Sequence, residues 1–182
     1  MEDFISFPKI PRLSRNIVIT EKIDGTNAQI LVTPDESIFA GSRKVWITPE
    51  KDNFGFAAWV EANKQELLKL GPGRHFGEWW GSGIQRGYGL KEKRFSLFNI
   101  KKWADNSKRP KCCYVVPLIY TGPFDTDHIN DVIAELAYFG SFAAPGFMRP
   151  EGIVIFHSAG SYLFKKTVLN DEKGKEITNG ST

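Results

Sequence analysis

Two short apolar runs near the start of the chain enclose a polar bend. Residues 16–20 and 28–32 are rich in β-branched side chains and are bounded by polar residues, a pattern typical of short β-strands. Residues 21–27 between them read Glu-Lys-Ile-Asp-Gly-Thr-Asn. Asp-Gly is a strong turn dipeptide because glycine tolerates positive φ. The pattern therefore predicts a hairpin whose bend carries Lys22.

The rest of the chain alternates between further strands and two helices. Strands are predicted over residues 38–47, 75–81, 94–100, 112–120, 151–156 and 162–167. Apolar residues at helical spacing predict one helix over 53–70, and capping residues with a terminal glycine predict a second over 128–139. Strands outnumber helices and no internal repeat is found. We therefore expect an α+β fold of antiparallel β-sheets with flanking helices.

Composition indicates a globular chain without strong charge. The 182 residues are 41% hydrophobic and carry a formal net charge of +3, which permits nucleic-acid binding without requiring it. We expect one domain over residues 1–182, with a polar tail over 170–182. Cys112 and Cys113 are adjacent, so they point to opposite faces of a strand and favour a reducing compartment over a mutual disulfide. No apolar run reaches membrane-helix length, and we expect a cytoplasmic protein without a membrane partner.

Lys22 is the candidate for nucleophilic chemistry. A free lysine is mostly protonated at neutral pH, so a nucleophilic one needs desolvation or cationic neighbours. Residues 21–27 alone are as consistent with an ordinary hairpin that carries a solvated lysine as with nucleophilic chemistry. A glycine-rich segment over 81–89 with Arg86 and Tyr88 predicts an exposed loop able to cradle a phosphate or a nucleic-acid strand. Its glycine spacing matches neither the Walker nor the Rossmann motif.

Five ordered blocks between Ile17 and Thr167 carry a family resemblance. The blocks are residues 21–27, 76–81, 95–99, 151–155 and 163–167. In this order they resemble the covalent lysine nucleotidyltransferases, and among them the ATP-dependent RNA ligases of the nick-sealing phage type. The resemblance implies an ATP-grasp-like adenylyltransferase fold. It also implies ATP and Mg²⁺ (or Mn²⁺) as cofactors and RNA as the substrate.

The resemblance assigns the basic residues to the transferred phosphate. Lys22 matches the lysine that attacks the α-phosphate of ATP and then carries AMP. Lys165 and Lys166 stand where the family often has Lys-x-Lys, although here the two lysines are adjacent. The resemblance implies that this block neutralises the phosphate and favours the neutral form of Lys22 by like-charge repulsion. Neighbouring strand residues face opposite sides, which favours Lys165. Arg43 lies near an expected phosphate contact, with Lys44 as a competitor.

The remaining matches concern the nucleotide and the metal ion. Phe98 corresponds to the aromatic ring that stacks on adenine, although a position in the core is also consistent with its neighbours. Glu78 corresponds to the ribose contact, Asn27 to a contact near the phosphates, and Glu21 to an adenine contact made largely through the backbone. Glu151 corresponds to an acid that helps to place a divalent cation through water.

Few residues follow Thr167, so we expect no appended C-terminal nucleic-acid-binding domain. We expect a monomer that acts on nicked duplex RNA or RNA ends, with DNA as an alternative substrate. The resemblance to the phage type also suggests a phage origin. Two alternatives remain open: a DNA ligase or GTP-dependent capping-type nucleotidyltransferase, and a non-catalytic nucleic-acid-binding module. In the second, Trp79, Trp80 and Tyr88 would stack on a strand.

Overall fold

A computed structural model describes residues 2–172 of the chain. The strands are β1 (Asn16–Lys22), β2 (Thr26–Val32), β3 (Ile38–Ser42), β4 (Trp46–Ile47), β5 (Gly73–Gly81), β6 (Lys93–Leu97), β7 (Cys113–Val115), β8 (Leu118–Pro123), β9 (Gly152–His157) and β10 (Tyr162–Thr167). The helices are α1 (Phe56–Ala62), α2 (Lys64–Leu67), a 3₁₀ turn (Leu68–Leu70), α3 (Ile100–Trp103) and α4 (Thr126–Phe139). The predicted α+β class is confirmed. Most of the predicted polar tail lies outside the described residues.

The strands form two sheets, and β1 and β2 belong to different ones. One sheet has the order β10-β9-β1-β8 and the other β4-β3-β2-β5-β6-β7. The predicted hairpin is therefore wrong, because the chain leaves the first sheet at Lys22 and enters the second at Thr26. The bend between the two strands forms the connection between the sheets.

Gly25 is required at this bend by close approach, and its φ is not positive. A Cβ atom at Gly25 would lie 2.4 Å from the carbonyl oxygen of Trp79 and 2.7 Å from the Cβ of Trp80. Both distances are too short for any side chain. The glycine therefore lets the bend press against β5, which brings Lys22 close to the second sheet.

Each sheet buries one face against helices. In the six-stranded sheet, side chains such as Ile30 and Phe95 pack with Phe56 of α1. In the four-stranded sheet, Ile19 and Ile155 pack against α4. The opposite faces of both sheets carry the more polar residues of β1 and β2, including Lys22, and these faces hold the candidate site.

The two predicted helices differ in how well they agree with the structure. α4 is confirmed over Thr126–Phe139, and its N-cap Asp125 accepts hydrogen bonds from the backbone N–H groups of Asp127 and His128. The predicted helix over 53–70 is divided into α1, α2 and the 3₁₀ turn, because Asn63 leaves helical geometry with φ −109° and ψ 14°. The Asn63 side chain then donates to the carbonyl of Trp59 over 2.8 Å.

The predicted strand over 112–120 is also divided, and its parts join different sheets. β7 runs parallel to β6, so the expectation of purely antiparallel sheets is corrected at this pair. β8 then pairs antiparallel with β1. Pro117 separates them because proline has no N–H to donate to a ladder. Its carbonyl accepts from the N–H of Glu21 over 3.0 Å, so this crossing lies beside the one at Lys22.

The cysteines and the helices also bear on the sequence-based expectations. Cys112 and Cys113 are both free thiols. Within residues 2–172 there is no helix of the length and apolar character needed to cross a membrane.

Candidate active site

The structure brings Lys22 and Glu151 together at the seam between the sheets. Lys22 ends β1 and lies opposite Gly152 at the start of β9, so Glu151 comes directly before that pair. The Nζ of Lys22 lies 2.6 Å from Oε2 of Glu151, and the two side chains are 22% and 5% exposed. This partial burial shields the pair from water and salt, so its charges interact more strongly than those of a surface ion pair.

Glu78 approaches the same bend from β5. Its Oε1 accepts a hydrogen bond from the N–H of Gly25 over 3.2 Å. Burial raises the pKa of Glu78 to about 7, against the opposing effects of the Lys22 ammonium and the Gly25 N–H. Asn27 lies directly across from Glu78 in the β2–β5 ladder. The bend is therefore surrounded by four of the predicted site residues: Lys22, Glu151, Glu78 and Asn27.

Phe98 lies on the same open face of the six-stranded sheet. Its N–H donates to the carbonyl of Phe76 over 3.0 Å, which continues the β5–β6 register by one residue beyond Leu97. Phe76 and Glu78 are two residues apart in β5, so their side chains share a face. Phe98 is 39% exposed, and its ring is therefore available for stacking instead of being buried in the core.

The strand register separates Lys165 from Lys166. Lys165 lies opposite Val154, and Val154 lies opposite Thr20 in β1. Because Thr20 and Lys22 share a face of β1, Lys165 projects to the side of Lys22. Lys166 projects to the other side, and its Nζ lies 3.4 Å from Oδ2 of Asp171. The register agrees with the choice of Lys165, while its phosphate contact stays a prediction.

Glu21 points to the opposite face of β1 from Lys22 and is almost fully buried. Its Oε1 accepts from the hydroxyl of Ser141 over 2.6 Å, and its Oε2 accepts from the N–H of Ala143 over 2.8 Å. Burial raises the pKa of this carboxyl, and these hydrogen bonds oppose the shift. Its side chain therefore anchors the segment after α4, a role that the sequence analysis did not foresee.

Arg43 lies outside the strands. It lies in the turn between β3 and β4, one residue beyond the end of β3, and is exposed together with Lys44. Extending the β2–β3 register by one residue would place Arg43 opposite Asn27. The choice between Arg43 and Lys44 stays a prediction.

The glycine-rich segment is not the open cradle predicted from its composition. Arg86 donates from Nε to Oδ2 of Asp24 over 2.9 Å. Its Nη1 donates to the carbonyls of Arg149 and Pro150 over 2.9 and 3.0 Å. The hydroxyl of Tyr88 accepts from the N–H of Asp24 over 2.7 Å. Arg86 thus joins the bend after Lys22 to the residues before Glu151.

The aromatic residues of the predicted stacking module are also placed differently. Trp79, Trp80 and Tyr88 are each almost fully buried, so they cannot stack on a strand from solvent. Trp79 packs against α1, while Trp80 and Tyr88 form a smaller cluster with Ile23 of the bend. That form of the non-catalytic alternative is wrong. Nothing in the sequence indicated that these rings face inward or that Arg86 bonds to Asp24, because their partners are distant in the chain.

A family profile and solved structures agree on the fold. The RNA ligase family profile matches residues 15–167. A comparison with curated proteins found no match. Among solved structures, an apo mutant of Naegleria gruberi RNA ligase matches with a TM-score of 0.62 at 20% identity, covering 92% of this chain and 57% of that one. Another mutant of that ligase, with ATP and Mn, gives 0.64 at 20% identity with the same coverage.

A third mutant, with AMP and Mn, matches with a TM-score of 0.63 at 19% identity, covering 91% of this chain and 56% of that one. The present chain thus spans a little over half the length of these ligases. The fold is that of an RNA ligase nucleotidyltransferase domain. Because the family profile covers most of the sequence, the chain belongs to the RNA ligase family. The phage type stays a prediction.

Replacing Arg86 tests its role as the link between the two halves of the site. Arg86→Gln removes the hydrogen bonds to the Asp24 carboxylate and to the carbonyls of Arg149 and Pro150. We therefore expect the free energy of unfolding to fall by about 1–3 kcal/mol. Arg86→Lys should restore only part of it, because an ammonium cannot span the same acceptors. Urea unfolding measures both, with Arg12→Gln on the exposed N-terminal segment as the control. Equal stability of Arg86→Gln and the control would contradict this role.

The pKa of Glu78 predicts a pH dependence of stability. Its carboxyl titrates near pH 7 in the folded chain, against the ordinary value of 4.5 expected after unfolding. Between pH 4.5 and 7 the folded chain keeps a proton on Glu78 that the unfolded chain has lost. The contribution of this proton to the free energy of unfolding is therefore complete below pH 4.5 and is lost as pH rises through 7. From pH 5 to 8 the wild type should lose about 1–3 kcal/mol more stability than Glu78→Gln.

Urea unfolding at several pH values measures this difference. Glu61→Gln on the exposed side of α1 is the control and should follow the wild type at every pH. Parallel pH profiles for the wild type and Glu78→Gln would show that Glu78 keeps its ordinary pKa.

Proposed function

We propose that the chain is the adenylation domain of an ATP-dependent RNA ligase, with Lys22 as the nucleophile. The observation that carries the proposal is the partly buried Lys22–Glu151 pair, 2.6 Å apart, beside Glu78 in a chain of the RNA ligase family. An ordinary surface lysine has no need of a buried carboxylate on a distant strand. The substrate class, RNA, follows from family membership. We also propose that this domain is active by itself, without the remaining part of a longer ligase.

The first step forms a covalent AMP intermediate on Lys22. The ammonium gives up a proton, for which Oε2 of Glu151 at 2.6 Å is the nearest base, and its lone pair attacks the α-phosphorus of ATP. A nitrogen–phosphorus bond forms as the bond to the β-phosphate oxygen breaks, and pyrophosphate leaves. Lys165, on the same sheet face as Lys22, balances negative charge on the α-phosphate.

The remaining residues orient the nucleotide. Phe98 offers a half-exposed ring for adenine. With a pKa of about 7, Glu78 can either accept or donate a hydrogen bond at the ribose near neutral pH. Asn27 adds a polar contact near the phosphates, Arg43 supplies a further cation from its turn, and Glu21 contributes its backbone next to adenine. Holding the reacting atoms in line contributes much of the rate acceleration.

Two further transfers complete the joining of RNA. A 5′-phosphate oxygen attacks the phosphorus on Lys22, so the nitrogen–phosphorus bond breaks and AMP becomes linked to the RNA 5′-phosphate. A 3′-hydroxyl then loses its proton to solvent and attacks that 5′-phosphate, which forms the phosphodiester and releases AMP. The covalent intermediate thereby divides one difficult displacement into easier ones.

The residues present fit a hard divalent cation held mainly through its own water. Glu151 and Glu78 would provide oxygen ligands, and Asp24 lies close enough to help raise the pKa of Glu78. No cluster of three or more His, Cys, Asp or Glu side chains able to chelate a metal occurs in residues 2–172. Glu151 would therefore hold Mg²⁺ or Mn²⁺ together with water and substrate phosphates. The chemistry supplied there would be neutralisation of negative charge on the phosphates during transfer.

Incubation with ATP labelled at the α-phosphate tests the proposal. The wild type should acquire label that survives denaturing electrophoresis, and Lys22→Ala should acquire none. Lys165→Ala should label at least about 100-fold more slowly, because its charge faces the transferred phosphate. Lys166→Ala is the matched control and should stay near the wild-type rate, because Lys166 projects to the other side of β10.

Several outcomes would contradict this assignment. Label on Lys22→Ala would place the nucleophile elsewhere. Slower labelling of Lys166→Ala than of Lys165→Ala would reverse the assignment of the two lysines. Label from GTP in preference to ATP would favour a capping-type enzyme. Sealing of a DNA nick in preference to an RNA nick would favour a DNA ligase.

A further inference from the structure

The open face of the six-stranded sheet carries a row of half-exposed rings away from the Lys22–Glu151 pair. Trp46 on β4 lies opposite Gly41 on β3, Gly41 lies opposite Gln29 on β2, and Gln29 lies opposite Phe76 on β5. Directly opposite residues project to the same side, so Trp46 and Phe76 share this face. Trp46 and Phe76 are 49% and 47% exposed. We name the set Trp46, Arg74, Phe76 and Phe98 the aromatic strip.

Specific contacts hold the outer end of the aromatic strip, at Trp46. The indole of Trp46 lies over Gly41, since a Cβ atom there would come within 3.1 Å of the ring. Arg74 reaches across β2, so that its guanidinium carbon lies 5.2 Å from the centre of the Trp46 ring. Its Nη1 also donates to Oε1 of Gln29 over 3.0 Å. A cation therefore lies against the Trp46 ring, and most of its N–H groups remain available to a ligand.

The inner end of the aromatic strip reaches the candidate site. Phe98 and Phe76 are joined by a backbone hydrogen bond of 3.0 Å, so their side chains are cross-strand neighbours. Glu78 follows Phe76 by two residues on the same face. With strands about 4.8 Å apart, the row from β4 to Phe98 spans about 19 Å, which is room for a few nucleotides.

Charge on this face favours a polyanion. Arg43 and Lys44 are exposed in the turn before Trp46, and Arg74 lies against the Trp46 ring. Within the part of the chain that the structure describes, none of these three cations forms a salt bridge with a carboxylate. Flat half-exposed rings interleaved with guanidinium and ammonium groups are the features that bind unpaired nucleic-acid strands by stacking and phosphate neutralisation.

We propose that the aromatic strip binds the unpaired bases of an RNA strand next to the end that reacts. This rests on the proposed function, because it identifies the substrate as RNA with a single-stranded segment beside the junction. Bases stack on Trp46 and Phe76, and Arg74 contacts a phosphate between them. Stacking uses the face of any base, so binding should tolerate changes of sequence.

Fluorescence anisotropy with a short labelled single-stranded RNA tests the proposal. Trp46→Ala should raise the dissociation constant about tenfold or more, because one stacking contact is lost. Trp46→Phe keeps a ring and should bind within a few-fold of the wild type. Tyr138→Ala is the matched control, since Tyr138 is an exposed aromatic on α4, away from this face. Circular dichroism checks that each variant is folded.

Arg74→Gln provides a second measurement that does not depend on the fold of the Trp46 variants. Removing one phosphate contact should reduce the slope of log K against log salt by about 0.7 for a single strand. An unchanged slope would overturn the phosphate contact at Arg74.

Three outcomes would overturn the proposal as a whole. Trp46→Ala could bind single-stranded RNA as Tyr138→Ala does, or it could weaken a blunt RNA duplex as much as a single strand. It could also convert a wild-type oligomer into a smaller species, which would make the face a protein interface. Labelling by ATP is measured separately on the same variants and should be unchanged in Trp46→Ala. A wild type that binds RNA through Trp46 but never labels would refute the proposed function alone.

Discussion

The crossing of the chain between two sheets at residues 22–26 is the constraint on which the candidate site depends. β1 and β2 follow one another in sequence but are interior strands of different sheets, so Lys22 ends a strand of one sheet and Asn27 lies near the start of a strand of the other. The crossing is tight because Gly25 touches the backbone of β5, where a side chain would collide. Glu78 and Glu151 reach the lysine from separate sheets for this reason.

Several hydrogen-bonded polar groups hold this crossing in place. Arg86 and Tyr88 bind Asp24 from the side of the second sheet, while Glu21 holds the segment after α4 on the far side of β1. Each of these groups has its hydrogen-bond partner, and no buried side-chain nitrogen or oxygen in the described residues lacks one. Because unpaired buried polar groups are costly, this arrangement favours one geometry of the bend over alternatives.

Local patterns predicted the elements better than their arrangement. The α4 helix, with its acidic cap and terminal glycine, and the strands β1, β2, β9 and β10 follow from signals that lie within each segment. The separation of β1 from β2 does not, because strand pairing depends on residues far away in the chain. Similarly, Trp79, Trp80 and Tyr88 looked suitable for stacking, but long-range packing buries them. Exposed rings such as Trp46 could be identified only once the register was known.

The candidate residues divide in the same way. Lys22, Glu78 and Glu151 were identified from ordered motifs, and the fold brings them together, while the two-residue period of β10 distinguishes Lys165 from Lys166. The central claim is that Lys22 becomes covalently attached to AMP. Peptide mass spectrometry after incubation with ATP and Mg²⁺ tests it most directly. We predict an adenylyl adduct on the peptide that contains Lys22, at that side chain. An adduct on another residue, or AMP bound only non-covalently, would contradict the claim.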